Sequence, residues 1–255
     1  MKGKYILVLA ACLLATSLWA INDVDKKGRK QGEWVKKYEN GVILYSGVFK
    51  DDKPVGEFKR FHENGALHSL QVYRENDLSD IVIYEIDGKT ISAKGSYKGK
   101  IKDGKWIYYI GGKSSLEEYY TQGQLNGVSK VYSKNGELIE EIPYSNNKIH
   151  GVKKCFLPDG KKYSESAYKE GVEHGDYKLY EGFDFPVIEG VHLNGKRDGE
   201  WKISDDKGKL VEVLKYDNGV LLNDKELKKE YSKSFDENES MKGKFMEPDQ
   251  MLDAQ

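Results

Sequence analysis

Four glutamates recur at a fixed interval: Glu117, Glu141, Glu165 and Glu189, each 24 residues after the one before. Set side by side by folding, they would form a row of carboxylates. General acid–base catalysis needs two carboxylates in unlike environments, one protonated and one ionised. A row of equivalent carboxylates offers no such contrast. Like charges on neighbouring strands repel, so the row predicts lysine partners, or a basic protein laid along it. His150 and His174 share the same interval and would suit a two-histidine metal site. Their slot elsewhere holds Asp103, Asn126 and Asp198, residues that hydrogen-bond nearby backbone in turns, and the turn role is the one expected. Trp34, Trp106 and Trp201, with Tyr108, Tyr109, Tyr119 and Tyr120, could stack on sugars or choline, or on one another. Trp106 and Tyr108 join the four glutamates as candidate binding residues. Cys155 has no base placed to activate it and reads as a packed thiol. There is no nucleophile elbow, no HExxH and no CxxC. No catalytic residue, metal or cofactor is expected.

The elements that would position these groups come from an internal repeat. Anchor positions fall at Gly32, Gly56, Asp80, Gly104, Gly127, Gly151, Gly175, Gly199 and Asn223, spaced by 24 residues with a single interval of 23. An aromatic stands seven residues before the next anchor at Phe49, Tyr73, Tyr97, Tyr120, Tyr144, Tyr168 and Tyr216; His192 is the exception. Eight or nine residues after an anchor comes a turn pair such as Asn40-Gly41, Asn64-Gly65, Asp87-Gly88, Gly111-Gly112, Asn135-Gly136 or Asp159-Gly160. Asn-Gly and Asp-Gly predict type I′ hairpin turns. A second reversal is marked by Asp52, Asn76, Gly123, Asn147, Gly171, Gly195 and Gly219, each four before the next anchor. Each unit is thus strand, turn, strand, turn. A lone hairpin is marginal in water, so the units must stabilise one another. The predicted fold is all-β: an elongated single-sheet solenoid of about eight 24-residue hairpins spanning 21–223. Leu210, Leu214 and Tyr216 share one face while Val211 and Val213 share the other, which predicts a twisted sheet with both faces partly wet.

Composition agrees with a thin fold. Of 255 residues only 38% are hydrophobic, while 33% are charged and 12% aromatic. The net charge of −1, with both signs interspersed, gives no footprint for nucleic acid and no polybasic membrane patch. Residues 1–20 carry Lys2 and Lys4 and then an apolar run, which reads as a signal peptide for export, cut after Ala20. Leu9-Ala10-Ala11-Cys12 also fits a lipobox, and both processing routes stand. Beyond the repeat, Leu227, Tyr231 and Phe235 predict a short capping helix over 224–235. The acidic, polar stretch 236–255 predicts a disordered tail.

The pattern Tyr-x-x-Gly-x-x-x-Gly-x-Trp/Phe, clearest from His192 through Gly195 and Gly199 to Trp201 and from Tyr168 through Gly171 and Gly175 to Tyr177, resembles the MORN-repeat variant family of bacteria. The resemblance covers about 28–223 and implies a grooved β-meander. Its members include antitoxin or immunity partners of secreted toxins and surface proteins of bacteria that colonise animals. MORN repeats also accompany lipid-phosphate kinases, but this chain has no Gly-rich phosphate loop followed by lysine. Gly104 to Tyr109 is also weakly similar to choline-binding cell-wall repeats, which have a shorter period and more Trp. The expected function is a monomeric, non-catalytic protein-binding scaffold in the periplasm, at the envelope surface or secreted. It would act as an adhesin-like protein on a host or envelope surface, as an immunity protein against a toxin, or as a cell-wall carbohydrate binder.

Overall fold

The computed structural model describes residues 21–222. The signal segment, the lipobox cysteine, the capping helix, the tail and the anchor Asn223 lie outside the described residues. Every described element is a strand, and none is a helix able to cross a membrane. The chain divides into two compact units between Gln124 and Leu125. Each is an antiparallel meander in which successive strands pair. The first runs from Asp23–Val24 and Lys30–Lys37 to Gly104–Ile110 and Lys113–Thr121. The second runs from Gly127–Tyr132 to Leu210–Asp217 and Val220–Leu221. The all-β hairpin repeat expected from the spacing is the fold observed.

The type I′ turns fall at the second reversal, not at the Asn-Gly and Asp-Gly pairs where they are expected. Paired positive φ angles, the mark of type I′, occur at the second reversal: Asp51-Asp52, Asn76-Asp77, Gln122-Gly123, Asn146-Asn147, Glu170-Gly171, Asn194-Gly195 and Asn218-Gly219. At Asn40-Gly41 only the glycine is left-handed (φ 85°). There Gly41 N donates to Tyr38 O at 3.0 Å and Tyr38 N donates to Val42 O at 2.8 Å. This is the longer hairpin connection, a type I turn closed by a left-handed glycine. It recurs at Gly65, Gly136, Gly160 and Gly208. Gly111-Gly112, with both φ positive, is the one pair among those expected that forms a two-residue I′ turn.

Asparagine in these loops does two jobs. Asn64 Oδ1 accepts from Ala66 N at 2.9 Å, and its Nδ2 donates to Ile86 O in the following hairpin at 3.0 Å. Asn40 does the same toward Val42 and Glu63. Asn64→Asp keeps the acceptor and loses the donor, leaving a carboxylate against a carbonyl. We expect a loss of about 0.5–1.5 kcal/mol, read as a lower urea midpoint.

The register also corrects one anchor. Gly56 pairs with Tyr73 and Gly104 with Tyr120, but it is Ser79, not Asp80, that pairs with Tyr97. The hairpin from Tyr73 to Ser79 pairs without the irregularity found in its counterparts at Gly47/Val48 and Ser166/Tyr168, so it is one residue shorter. Ser79 is fully buried and its hydroxyl accepts from Gln71 Nε2 at 2.8 Å.

Alternation now identifies the buried face. On it stand the anchors, the aromatics seven before them, and the residues two after: Phe58, Trp106, Tyr177 and Trp201, all buried. In the second unit the core is Tyr177, Leu179, Val187, Trp201, Ile203 and Leu214. Val211, 60% exposed, lies on the opposite face, which is wetter throughout. That asymmetry names the buried face, which alternation along the sequence left open.

One loop carries a titratable pair. His62 and His68 rings meet edge to face at 4.8 Å, and His62 Nε2 is buried without a hydrogen-bond partner. Burial, then the charges of His62 and Arg60, hold the His68 imidazole below its ordinary value. The folded state therefore binds a proton here less readily than the unfolded chain. Stability is unaffected well above pH ~6.5 and falls as the pH drops through and below it. Thermal melts of wild type and His68→Phe from pH 8 to pH 5 should show a steeper decline for wild type.

Candidate functional site

Trp106 lies on the buried face at 1% exposure. Its Nε1 donates to Ser96 O at 3.0 Å, and its ring packs edge to face on Tyr97 at 5.0 Å. Gly95 lies beneath it, so close that any Cβ there would overlap the indole. Lys102, two before the anchor, places its ammonium 4.7 Å from Trp106, 5.2 Å from Tyr108 and 4.9 Å from Tyr120. This cage of rings is filled by the chain's own lysine. Lys102 Nζ donates to Tyr108 OH at 2.6 Å, and burial, then Glu118 and Tyr120, push the Tyr108 phenol upward. Trp106 is thus a packing residue, which corrects its assignment to the binding surface. Tyr108 is half-buried and turned to Lys102.

The same device recurs wherever the ring two after the anchor is tryptophan. Lys30 sits 4.5 Å over Trp34, and Arg197 sits 4.8 Å over Trp201. Where that ring is absent, the slot holds Leu125 or Ile149. In the seventh unit it holds Glu173, which faces the His192 that replaces the usual aromatic. His192 Nε2 lies 3.7 Å from Glu173, and its ring is wedged between Tyr177 and Trp201. The two departures from the pattern, His192 and Glu173, thus face each other.

The glutamates take the opposite, wetter face. Glu117 pairs with Lys105 at 2.9 Å in the first unit. In the second unit, Glu141, Glu165 and Glu189 form a cross-strand row interleaved with lysine. The register reads Lys130, Glu141, Lys154, Glu165, Lys178, Glu189, Lys202 across seven strands. Lys130 and Lys154 reach Glu141 at 3.3 and 3.9 Å, and Lys202 reaches Glu189 at 3.6 Å. Burial pushes the Glu165 carboxyl upward, but hydrogen bonds from Lys162 and Tyr180 outweigh it and hold the group below its ordinary value. Charges of alternating sign replace a bare carboxylate ladder, because a strand of lysines lies between each pair of glutamate strands. Beside this row runs an apolar one: Val128, Pro143, Val152 and Ala167, then Asp176 and Val191. Val128, Val152 and Val191 are 41%, 47% and 40% exposed. In the first unit the same face carries Leu70, Val82 and Ile107, with Lys59 and Lys94 in the same row. It also carries a shallow hollow of about 290 Å³ over Val82, Lys94, Ser96, Lys105 and Ile107.

The residues just before the anchors work at the turn edge. Asp103 Oδ1 accepts from Gln122 N at 3.2 Å, His174 Nδ1 from Asn194 N at 3.5 Å, and Asp198 Oδ1 from Asn218 N at 3.2 Å. Each buckles one turn to the next, 19 or 20 residues on. A backbone bond recurs beside each buckle: Gly123 N to Lys102 O, Gly195 N to Glu173 O and Gly219 N to Arg197 O. His150 Nδ1 lies 3.3 Å from Glu170 instead. Among the described residues, no three His, Cys, Asp or Glu converge as metal ligands. Cys155 is half-buried, and burial, then Glu140, push its thiol upward.

The anchors Gly32, Gly56, Gly104, Gly127, Gly151, Gly175 and Gly199 pair respectively with Phe49, Tyr73, Tyr120, Tyr144, Tyr168, His192 and Tyr216. This repeated glycine–aromatic pairing is the signature of the unit. No curated protein matches the chain. Residues 30–51, 54–75, 125–146 and 197–222 match the MORN repeat variant, a non-catalytic repeat type, and the hairpins of Gly104 and Gly151 between them keep the same pairing. The chain is a β-hairpin repeat protein that carries MORN-variant repeats.

Proposed function

We propose that this protein is a non-catalytic binding scaffold, exported to the bacterial envelope or surface, that engages a protein partner through the wet faces of its hairpin units. The observation that carries the reading is the wet face of the second unit. There an exposed apolar row lies beside a long row of ion pairs. Interfaces have this anatomy, an apolar centre edged by polar groups. Contiguous exposed apolar patches on soluble proteins mark interaction sites. The buried face supports it by being filled: its rings are occupied by packing and by internal cations. Export rests on the basic and apolar composition of residues 1–20.

The test is capture by immobilised 21–255 from envelope, secreted and host-surface fractions, with Val128→Asp as control. Val128 is exposed, so the variant should fold normally. A stoichiometric partner held by wild type and lost by the variant is expected. A partner encoded by the same cell makes the protein immunity-like, and one from another cell makes it adhesin-like. No partner in any fraction, or equal retention by the variant, overturns the reading.

A further inference from the structure

The charge row of the second unit has a symmetry property that names one occupant for it. Along the row the signs alternate strictly, from Lys130 to Lys202. A two-fold axis parallel to the strands reverses such a row. If the axis passes through a strand, like faces like. If it passes midway between two strands, every charge faces its opposite. With the axis between the strands of Lys154 and Glu165, Lys154 faces Glu165 of a second copy, Glu141 faces Lys178, and Lys130 faces Glu189. Only two such axes overlap six strands of the row, and the apolar residues select between them. The axis between Lys154 and Glu165 lays Val152 on Ala167 and Val128 on Val191 of the second copy and sets Asp176 on Pro143, whereas the axis between Glu165 and Lys178 sets Asp176 on Ala167 and keeps only Val152 on Val191.

We infer that the wet face of the second unit pairs with the same face of a second copy of this chain, about a two-fold axis lying between Lys154 and Glu165. An isologous contact requires a self-complementary patch, and this face is one in charge along the whole row and in apolarity on four of its six strands. The inference rests on reading that face as a binding face, and it departs from the expectation of a monomer. The apolar row supplies the affinity. The ion pairs fix the register, since each charge already has a neighbour in its own chain and gains little net energy from another. Six strands about 4.8 Å apart, each contributing about 20 Å of length, give roughly 600 Å² per copy. That is somewhat below the roughly 800 Å² of a standard interface, which places the dimer among weak, transient contacts.

Sedimentation velocity on the purified chain, from low micromolar to sub-millimolar concentration, should show a monomer–dimer equilibrium. Val152→Asp, at an exposed position, should abolish the dimer while leaving the melting temperature unchanged. For the register, two single-cysteine chains are made in a Cys155→Ser background, at Val152 and at Ala167, with distinguishable tags. A short bis-maleimide should join 152 to 167 several-fold faster than 152 to 152. A monomer at every concentration, a dimer indifferent to Val152→Asp, or equal cross-linking of the two pairs overturns the inference. A chain that stays monomeric alone yet captures a foreign partner in a Val128-dependent way sinks this inference and leaves the binding function standing.

Discussion

Trp106→Ala should cost the first unit roughly 3–5 kcal/mol, the range for emptying a buried tryptophan site. The ring is 1% exposed, bonded through Nε1 to Ser96, packed on Tyr97 and Tyr108, and covered by Lys102. Removing it leaves a cavity over Gly95 that no side chain can fill, and it leaves Lys102 without the ring it covers. Trp201→Ala should do the same in the second unit, where Tyr177, His192 and Tyr216 surround the ring and Arg197 covers it. Nearest-neighbour coupling in repeat proteins confines much of each loss to the adjacent hairpins. Hydrogen exchange should therefore localise the Trp106→Ala effect to strands Ile91–Lys98, Gly104–Ile110 and Lys113–Thr121. A Trp106→Ala protein as stable as wild type but unable to hold its partner would falsify the packing role and return Trp106 to the binding surface.

The period was legible because glycine and aromatic recur at fixed offsets, and pairing preserves offsets. What the residues left ambiguous was decided by geometry that sequence spacing does not encode. Asn-Gly is compatible with a I′ turn and with a type I turn closed by a left-handed glycine; only the number of residues between paired strands separates them, and here the paired positive φ angles fall on Asn146-Asn147 and its counterparts. Asp80 falls on the count of 24, yet the shorter hairpin before it moves the anchor to Ser79. The glutamates and the lysines Lys130, Lys154, Lys178 and Lys202 each recur every 24 residues, but at different positions of the unit, and they become neighbours only once strands pair. Assigning Trp106 to a binding surface failed for a related reason. An aromatic two after an anchor looks the same whether it faces a ligand or a glycine. The signal that would have separated them is present: Gly47, Gly95 and Gly190 each stand eleven residues before Phe58, Trp106 and Trp201.

Those three glycines carry the sharper prediction, because its sign runs against the usual one. None of them is in the left-handed region, so alanine is free to adopt their backbone conformation. In an open strand Gly→Ala would then stabilise by about 0.4–1 kcal/mol, by restricting the unfolded chain. Here the added Cβ would overlap the Trp106 indole from Gly95, or the Trp201 indole from Gly190. Trp201 is held by its Nε1 bond to Val191 and by three neighbouring rings, so it has nowhere to retreat. Overpacking of this kind costs about 1–3 kcal/mol, and Gly190→Ala should destabilise by that amount. The cause is isolated by a double-mutant cycle in urea. In a Trp201→Leu background the obstructing indole is gone, and Gly190→Ala should become neutral or stabilising, a coupling of about 1–3 kcal/mol. If Gly190→Ala costs the same in both backgrounds, the glycine is required for something other than the approach of the ring, and the eleven-residue offset loses its physical meaning.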